Sequence, residues 1–224
     1  MTDFDHRACE FFYDRCKEKN ILPRRIRESR KPGSRRPDFK LSIDGNPLVV
    51  EVKAIEESEN DRREGLHDVL KEDIPRIRKK LSKANRQLHR YSDRGIPGIV
   101  CIIDYTGRGL TWIPMGMHIA MFGQDAVVMS VPSDPTHPPH IVGQKSAGKE
   151  TLTPEHNRSI SAVLTFHVGN TDPVQYVSTL YHNHFARCLI DPNCAAHLVT
   201  VQYESGKRER SIGDPWIRMS GTSR

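Results

Sequence analysis

Asp38, Glu51 and Lys53 are the residues whose types and spacing could do chemistry. Asp38 and Glu51 are separated by twelve residues, and Lys53 follows two positions after Glu51. Two carboxylates converging beside an ammonium can hold a hard divalent cation, with one positive group left to manage a phosphate or a nucleophilic water. Convergence needs local structure. Pro37 to Ile43 reads as a strand, Asp44-Gly45-Asn46-Pro47 as a turn, and Leu48 to Ala54 as a second strand. Alternation along the second strand puts Leu48, Val50 and Val52 on one apolar face. Glu51 and Lys53 then share the other face, where Asp38 must also reach to meet them.

Each of these residues alone has an ordinary reading. Asp38 follows a proline, as turn and strand-starting aspartates do, and Glu51 with Lys53 could be the polar face of an edge strand. Taken together, Pro37-Asp38 and Glu51-Val52-Lys53 at this spacing resemble the PD-(D/E)xK signature of the restriction-endonuclease-like nucleases. Gln87-Leu88-His89-Arg90-Tyr91 resembles the QxxxY element that follows the core in RecB-like members, and the resemblance covers roughly residues 1 to 104. It implies an α/β fold with an αβββαβ core, a mixed central sheet flanked by helices and, here, extension by C-terminal strands. It implies a Mg²⁺-dependent nuclease, with Mn²⁺ able to substitute, that hydrolyses DNA phosphodiesters with activated water. Asp38, Glu51, Lys53 and Gln87 would be its catalytic residues. Asp38, Glu51 and the Val52 carbonyl would hold the metal, with waters completing the octahedron. Glu10, on the helix before the core, is the further acid that the resemblance puts forward for the metal, and Glu28 is a second candidate. Nucleic acid, DNA first, is the implied partner, and many such nucleases form homodimers to cut two strands.

The elements that must position these residues are readable in turn. Phe4, Ala8, Phe11, Phe12 and Cys16 recur at helical spacing, which predicts a helix over residues 3 to 20 with Glu10 and Glu18 off its apolar stripe. Residues 21 to 36 are dense in arginine, suited to phosphate contacts that position without reading sequence, and a strand is expected from about Leu22 to Glu28. Leu66, Leu70, Ile74, Ile77, Leu81, Ala84, Leu88 and Tyr91 predict a long amphipathic helix. Pro75 interrupts it, so either Asp73 caps a new helix or the helix kinks there. Arg76, Arg78, Lys79, Lys80, Lys83, Arg86 and Arg90 form its charged face. Residues 99 to 105 are a continuous apolar run, expected as a central strand buried on both faces. A short helix is expected over 114 to 122 and strands over 125 to 131, 160 to 168 and 174 to 181. Residues 132 to 158 are expected as a long loop and residues 205 to 224 as a polar tail. The domain division is then a single unit over 1 to 204, with its core at about 1 to 131 and an extension over 132 to 204.

The chain has 224 residues and a formal net charge of +6, enough length for one domain and a modest basic bias that favours a polyanionic partner. No run of eighteen apolar residues marks a membrane span, and the first residues lack the pattern of a secretory signal. The five cysteines lack framework spacing, so a cytoplasmic setting with reduced thiols is expected. Two rival classes stand beside the nuclease. One is a catalytically vestigial nucleic-acid- or partner-binding protein on the same fold. The other is a zinc hydrolase using His184, Cys188, Cys194 and His197, whose ligand types suit zinc but whose spacing fits no standard finger or knuckle.

Overall fold

The computed structural model describes residues 3–27, 35–56, 66–107, 114–132, 136–147, 149–168, 176–199, 201–205 and 216–219. The chain begins with α1 (Asp3–Glu18), whose buried residues Ala8, Cys9, Phe12 and Cys16 step by three and four along one face. Asn20, at φ 59°, closes the helix: Ile21 N donates to Cys16 O and Asn20 N to Lys17 O, both at 2.9 Å. This is a Schellman ending, with asparagine in the left-handed position. The short β1 (Arg24–Arg25), β2 (Phe39–Ile43) and β3 (Asn46–Ile55) follow, paired antiparallel in that order. Next come α2 (Leu66–Ser92) and β4 (Gly98–Asp104), and β4 runs parallel to β3. The first six elements are therefore α-β-β-β-α-β.

The remaining elements are α3 (Pro114–Phe122), β5 (Gln124–Ser130), β6 (His140–Ala147), β7 (Ala162–Val168), β8 (Tyr176–His182), α4 (Pro192–Ala196), β9 (Val201–Ser205) and β10 (Trp216–Met219). The main sheet has the order β1-β2-β3-β4-β7-β8-β9-β10, with β5 and β6 forming a separate antiparallel pair. It is a mixed sheet: β4 pairs parallel with both β3 and β7, and every β4 residue is buried, as a continuous apolar run requires. Its two faces carry separate cores. Leu48, Val50, Val52 and Ala54 of β3 pack with α1 residues Ala8, Cys9 and Phe12. Val49 and Ile55 face the other way, onto Ile77, Leu81, Ala84 and Leu88 of α2 and Met117 and Met121 of α3. Among the described residues, no helix is long and apolar enough to cross a membrane.

Several expectations need correction. The turn between β2 and β3 is only Asp44-Gly45, because both residues take positive φ, 50° and 80°, and form the tight two-residue connection that matches strand twist. Only Arg24–Arg25 of the expected arginine-rich strand pairs, and Glu28 lies outside the described residues. Pro75 sits inside one helix, at an exposed position, and does not begin a new one. The helix stops at Ser92, with Gly95 at φ 75° and Ile96 N donating to Tyr91 O at 3.0 Å. The expected loop over 132 to 158 contains β6, which pairs with β5, away from the main sheet. The expected polar tail contains β10, where Trp216 pairs with Ser205 and Met219 with Gln202. A four-residue strand carries too little periodicity to register in sequence.

Candidate active site

The β2–β3 hairpin builds the site by running out of backbone partners. Its register ends at Phe39 opposite Val50. One step further, the Asp38 side chain takes over from a ladder carbonyl: its Oδ2 accepts the Val52 amide hydrogen at 2.8 Å. The Asp38 carbonyl meanwhile accepts from Ile26 N at 2.8 Å, which ties the residue to the segment after β1. N–H and C=O groups of one strand residue point to the same edge, so the Val52 carbonyl lies on the Asp38 side of β3.

Glu51 is 1 % exposed on the opposite pleat face to Val52, and the Lys53 ammonium, one step along that face, donates to Glu51 Oε1. Glu51 Oε2 is buried and has no hydrogen-bond partner. Burial first, and the Asp38 charge second, push the Glu51 carboxyl up to about 8, against the opposing pull of Lys53 and Gln87. Burial also raises the Asp38 carboxyl, opposed by the Val52 amide, the Lys53 charge and the Glu51 carboxyl. Burial thus favours the protonated form of the Glu51 carboxyl, and a bound cation would favour the ionised form.

Gln87 comes from the flank of α2, one turn from the buried Ala84 and Leu88 row. It acts on the Glu51 carboxylate, while its Nε2 donates to Arg36 O at 3.3 Å. Tyr91, its partner in the QxxxY pattern, packs against the α2-side core.

Glu10 is not brought to the carboxylate pair. It is 60 % exposed, its Oε1 is 3.4 Å from His6 Nδ1, and it lines a small cleft with Tyr13, Asp14 and Arg25. The acid of α1 whose charge reaches Asp38 is Asp5, one turn before Cys9. Cys9 itself is a buried thiol, raised to about 12 by burial and by the neighbouring Asp38. On the α2 side, Lys80 lies within electrostatic reach of Asp5, Lys53, Glu56 and Lys83. The sequence alone does not single out Asp5 and shows Lys80 only as one member of the charged α2 face, because only the helix rotation tells which charge looks inward. Arg76 secures α2 to the end of β3, pairing with Asp73 at 3.0 Å and donating to Glu56 O.

The donor set at the pair is all oxygen: the Asp38 and Glu51 carboxyls and the Val52 carbonyl, which suits a hard divalent cation. The orphaned Glu51 Oε2 and the raised carboxyl fit such a group, since a cation would satisfy the first and reverse the second. Among the described residues, no group of three or more His, Cys, Asp or Glu side chains gathers to hold a metal. A cation here would therefore keep most of its ligands as water, as Mg²⁺ does.

The zinc-type residues of the C-terminal half are scattered. Cys188 contacts the Ser92 carbonyl, Cys194 is buried against Ile43 O, His197 Nε2 lies 3.0 Å from Asp44 and His184 packs at a tilt against the Phe122 and Phe185 rings. Comparison of the chain with known proteins finds no matching family model, no matching curated protein and no matching solved structure.

Proposed function

We propose that the protein is a metal-dependent nuclease with the restriction-endonuclease-like core, acting on the phosphodiester bonds of DNA. The observation that carries this reading is the Asp38 Oδ2 bond to Val52 N beside the buried Glu51–Lys53 pair. It draws two carboxylates, a backbone carbonyl and one ammonium to the open end of a hairpin. The α-β-β-β-α-β order of the first six elements and the PD-(D/E)xK spacing support the same reading.

When bound, Mg²⁺ would lower the pKa of a coordinated water and neutralise charge on a phosphoryl oxygen. The chain's own residues do the rest. Asp38 and Glu51 would hold the cation, and Glu51 would give up its proton to become a ligand. Asp38 is fixed by the Val52 amide, so the carboxylate is oriented before the cation arrives. Lys53, held by Glu51 Oε1, places a positive charge where negative charge develops on the phosphate in the transition state. Gln87 steadies the Glu51 carboxylate from the α2 side. In the reaction, the water oxygen bonds to phosphorus and the bond to the leaving sugar oxygen breaks. One water proton goes to solvent and one reaches the leaving oxygen, giving a phosphate monoester end and a hydroxyl end.

The test is incubation of wild type and Asp38→Ala with supercoiled plasmid and with single-stranded circles, in Mg²⁺ or Mn²⁺, with EDTA as control. Cleavage that needs metal and is lost in the variant is expected. Cleavage that survives in the variant would place the chemistry elsewhere. Binding of nucleic acid with neither cleavage nor metal uptake would make the protein a vestigial binder on this fold.

A further inference from the structure

A second charged feature lies on the outer side of α2. A cleft of about 470 Å³ is lined by Arg78, Lys79, Ser82, Lys83 and Arg86, with Lys149 approaching from the segment after β6. Arg78, Ser82 and Arg86 form one row at four-residue spacing and Lys79 and Lys83 the next, while Ile77, Leu81, Ala84 and Leu88 point the other way into the core. No acidic side chain is among its described lining, and Lys79, Lys83, Arg86 and Lys149 make no ion pair with a described residue. Arg78 is built in: its Nη2 donates to Ile119 O at 2.7 Å, joining α2 to α3, and its buried Nε has no hydrogen-bond partner. Burial lowers its pKa. Arg78, Lys79, Lys83, Arg86 and Lys149 put five positive charges on one cleft, an arrangement that suits a polyanionic ligand.

The cleft is continuous in charge with the carboxylate site. Lys83 interacts with Lys80, and Lys80 with Lys53. From Arg78 to Arg86 the helix advances about 12 Å, long enough to follow about two successive phosphate intervals of one DNA strand. We propose that this groove grips the phosphodiester backbone of the nucleic-acid substrate at nucleotides removed from the one held at Asp38 and Glu51. The substrate's identity rests on the nuclease reading; the groove itself rests on its cations. Its contacts are to phosphate, so it would add affinity and position the strand without reading sequence.

The test uses the full chain carrying Asp38→Asn, so that nothing is cut, in EDTA. Binding of a labelled 30-mer DNA, duplex and single-stranded, is followed from 50 to 200 mM KCl with and without Lys79→Glu, Lys83→Glu and Arg86→Glu together. These positions are exposed, and circular dichroism checks the fold. At about 0.9 per phosphate contact, losing three contacts should reduce the slope of log affinity against log salt for the duplex by about 3. Affinity at the lowest salt should fall at least about tenfold. An unchanged slope and affinity would overturn the groove, as would failure of the Asp38→Asn parent to bind either DNA. If wild type never cleaves but the slope still falls in the triple variant, the nuclease reading fails and the groove stands.

Discussion

Asp38 and Val52 are joined by a hydrogen bond from backbone to side chain, 2.8 Å from Val52 N to Asp38 Oδ2, at the point where the β2–β3 ladder ends. The bond caps a strand edge and aims a carboxylate at the same time. Asparagine can keep the cap through its carbonyl oxygen but cannot keep the charge. Asp38→Asn should therefore unfold at or above the wild-type temperature in EDTA. Asp38→Ala leaves a part-buried amide without a partner and should lose about 1–3 kcal/mol. Both should lose metal-dependent cleavage by at least about 100-fold. Thermal unfolding and plasmid nicking measured side by side check this, and equal stability of the two variants would contradict the capping role.

Glu51 carries a pH signature. Its folded-state carboxyl sits at about 8 against an ordinary 4.5, so the folded protein binds more protons than the unfolded one between those values. Stability without metal should therefore fall as pH rises from about 4.5 toward 8, by roughly 3 kcal/mol at pH 7. Glu51→Gln cannot ionise and should lack that decline, overtaking wild type in urea unfolding at pH 7 and 8. Parallel stability curves for the two proteins would show that Glu51 titrates normally.

The same carboxyl would make binding of a cation at this site proton-linked. Glu51 must ionise to become a ligand, so Mg²⁺ or Mn²⁺ binding at pH 7 should release close to one proton. Calorimetry in buffers of different ionisation enthalpy measures this directly. Release should vanish in Glu51→Gln, and wild-type binding with no buffer dependence would remove Glu51 from the ligand set.

How much of this was legible in sequence follows from the range of the interactions. The β2–β3 hairpin, the α2 periodicity and the buried β4 run are local patterns, and from Ile74 to Tyr91 on α2, as on the strands, the residues that carry them lie where alternation and the 3.6-residue turn require. Asp38, Glu51 and Lys53 were readable as a set because one hairpin holds all three. Asp5, Lys80 and the tertiary placement of Gln87 depend on how α1 and α2 are rotated against the sheet, and a helix covered in charges does not announce which charge faces in. Glu10 illustrates the limit: it has the right residue type and helix, but lies one position past the inward Asp5–Cys9 line. β6 and β10 were hidden because short strands among glycine, proline and polar residues lack a period.

Gly98 predicts a packing constraint that no local pattern shows. A Cβ added there would lie 2.7 Å from Ser159 O and 3.1 Å from both Leu88 methyls. Gly98 N also donates to Ser161 Oγ at 2.9 Å, and Ser161 N donates back to Gly98 O at 2.7 Å, so the backbone cannot retreat. Gly98→Ala should cost about 1–3 kcal/mol by overpacking the junction of α2, β4 and β7. Urea unfolding checks it, and a neutral result would mean that the 159–161 segment yields more easily than its hydrogen bonds imply.

On the nuclease reading Lys53 would serve two roles that one variant can separate. Its ammonium donates to Glu51 Oε1 and, with Gln87, is what opposes the upward push on that carboxyl. Removing it in Lys53→Met should raise the Glu51 pKa further, so cation capture would require more alkaline conditions. At subsaturating Mg²⁺, the acidic limb of the cleavage profile should move to higher pH. The plateau rate should fall by about 100-fold or more, because the positive charge is also lost where phosphate charge develops. Lys53→Arg keeps a cation and should keep the limb near its wild-type position even where its bulk lowers the plateau. A fallen plateau with an unmoved limb in Lys53→Met would confine Lys53 to the phosphate and leave Glu51 to be set by burial and Asp38 alone.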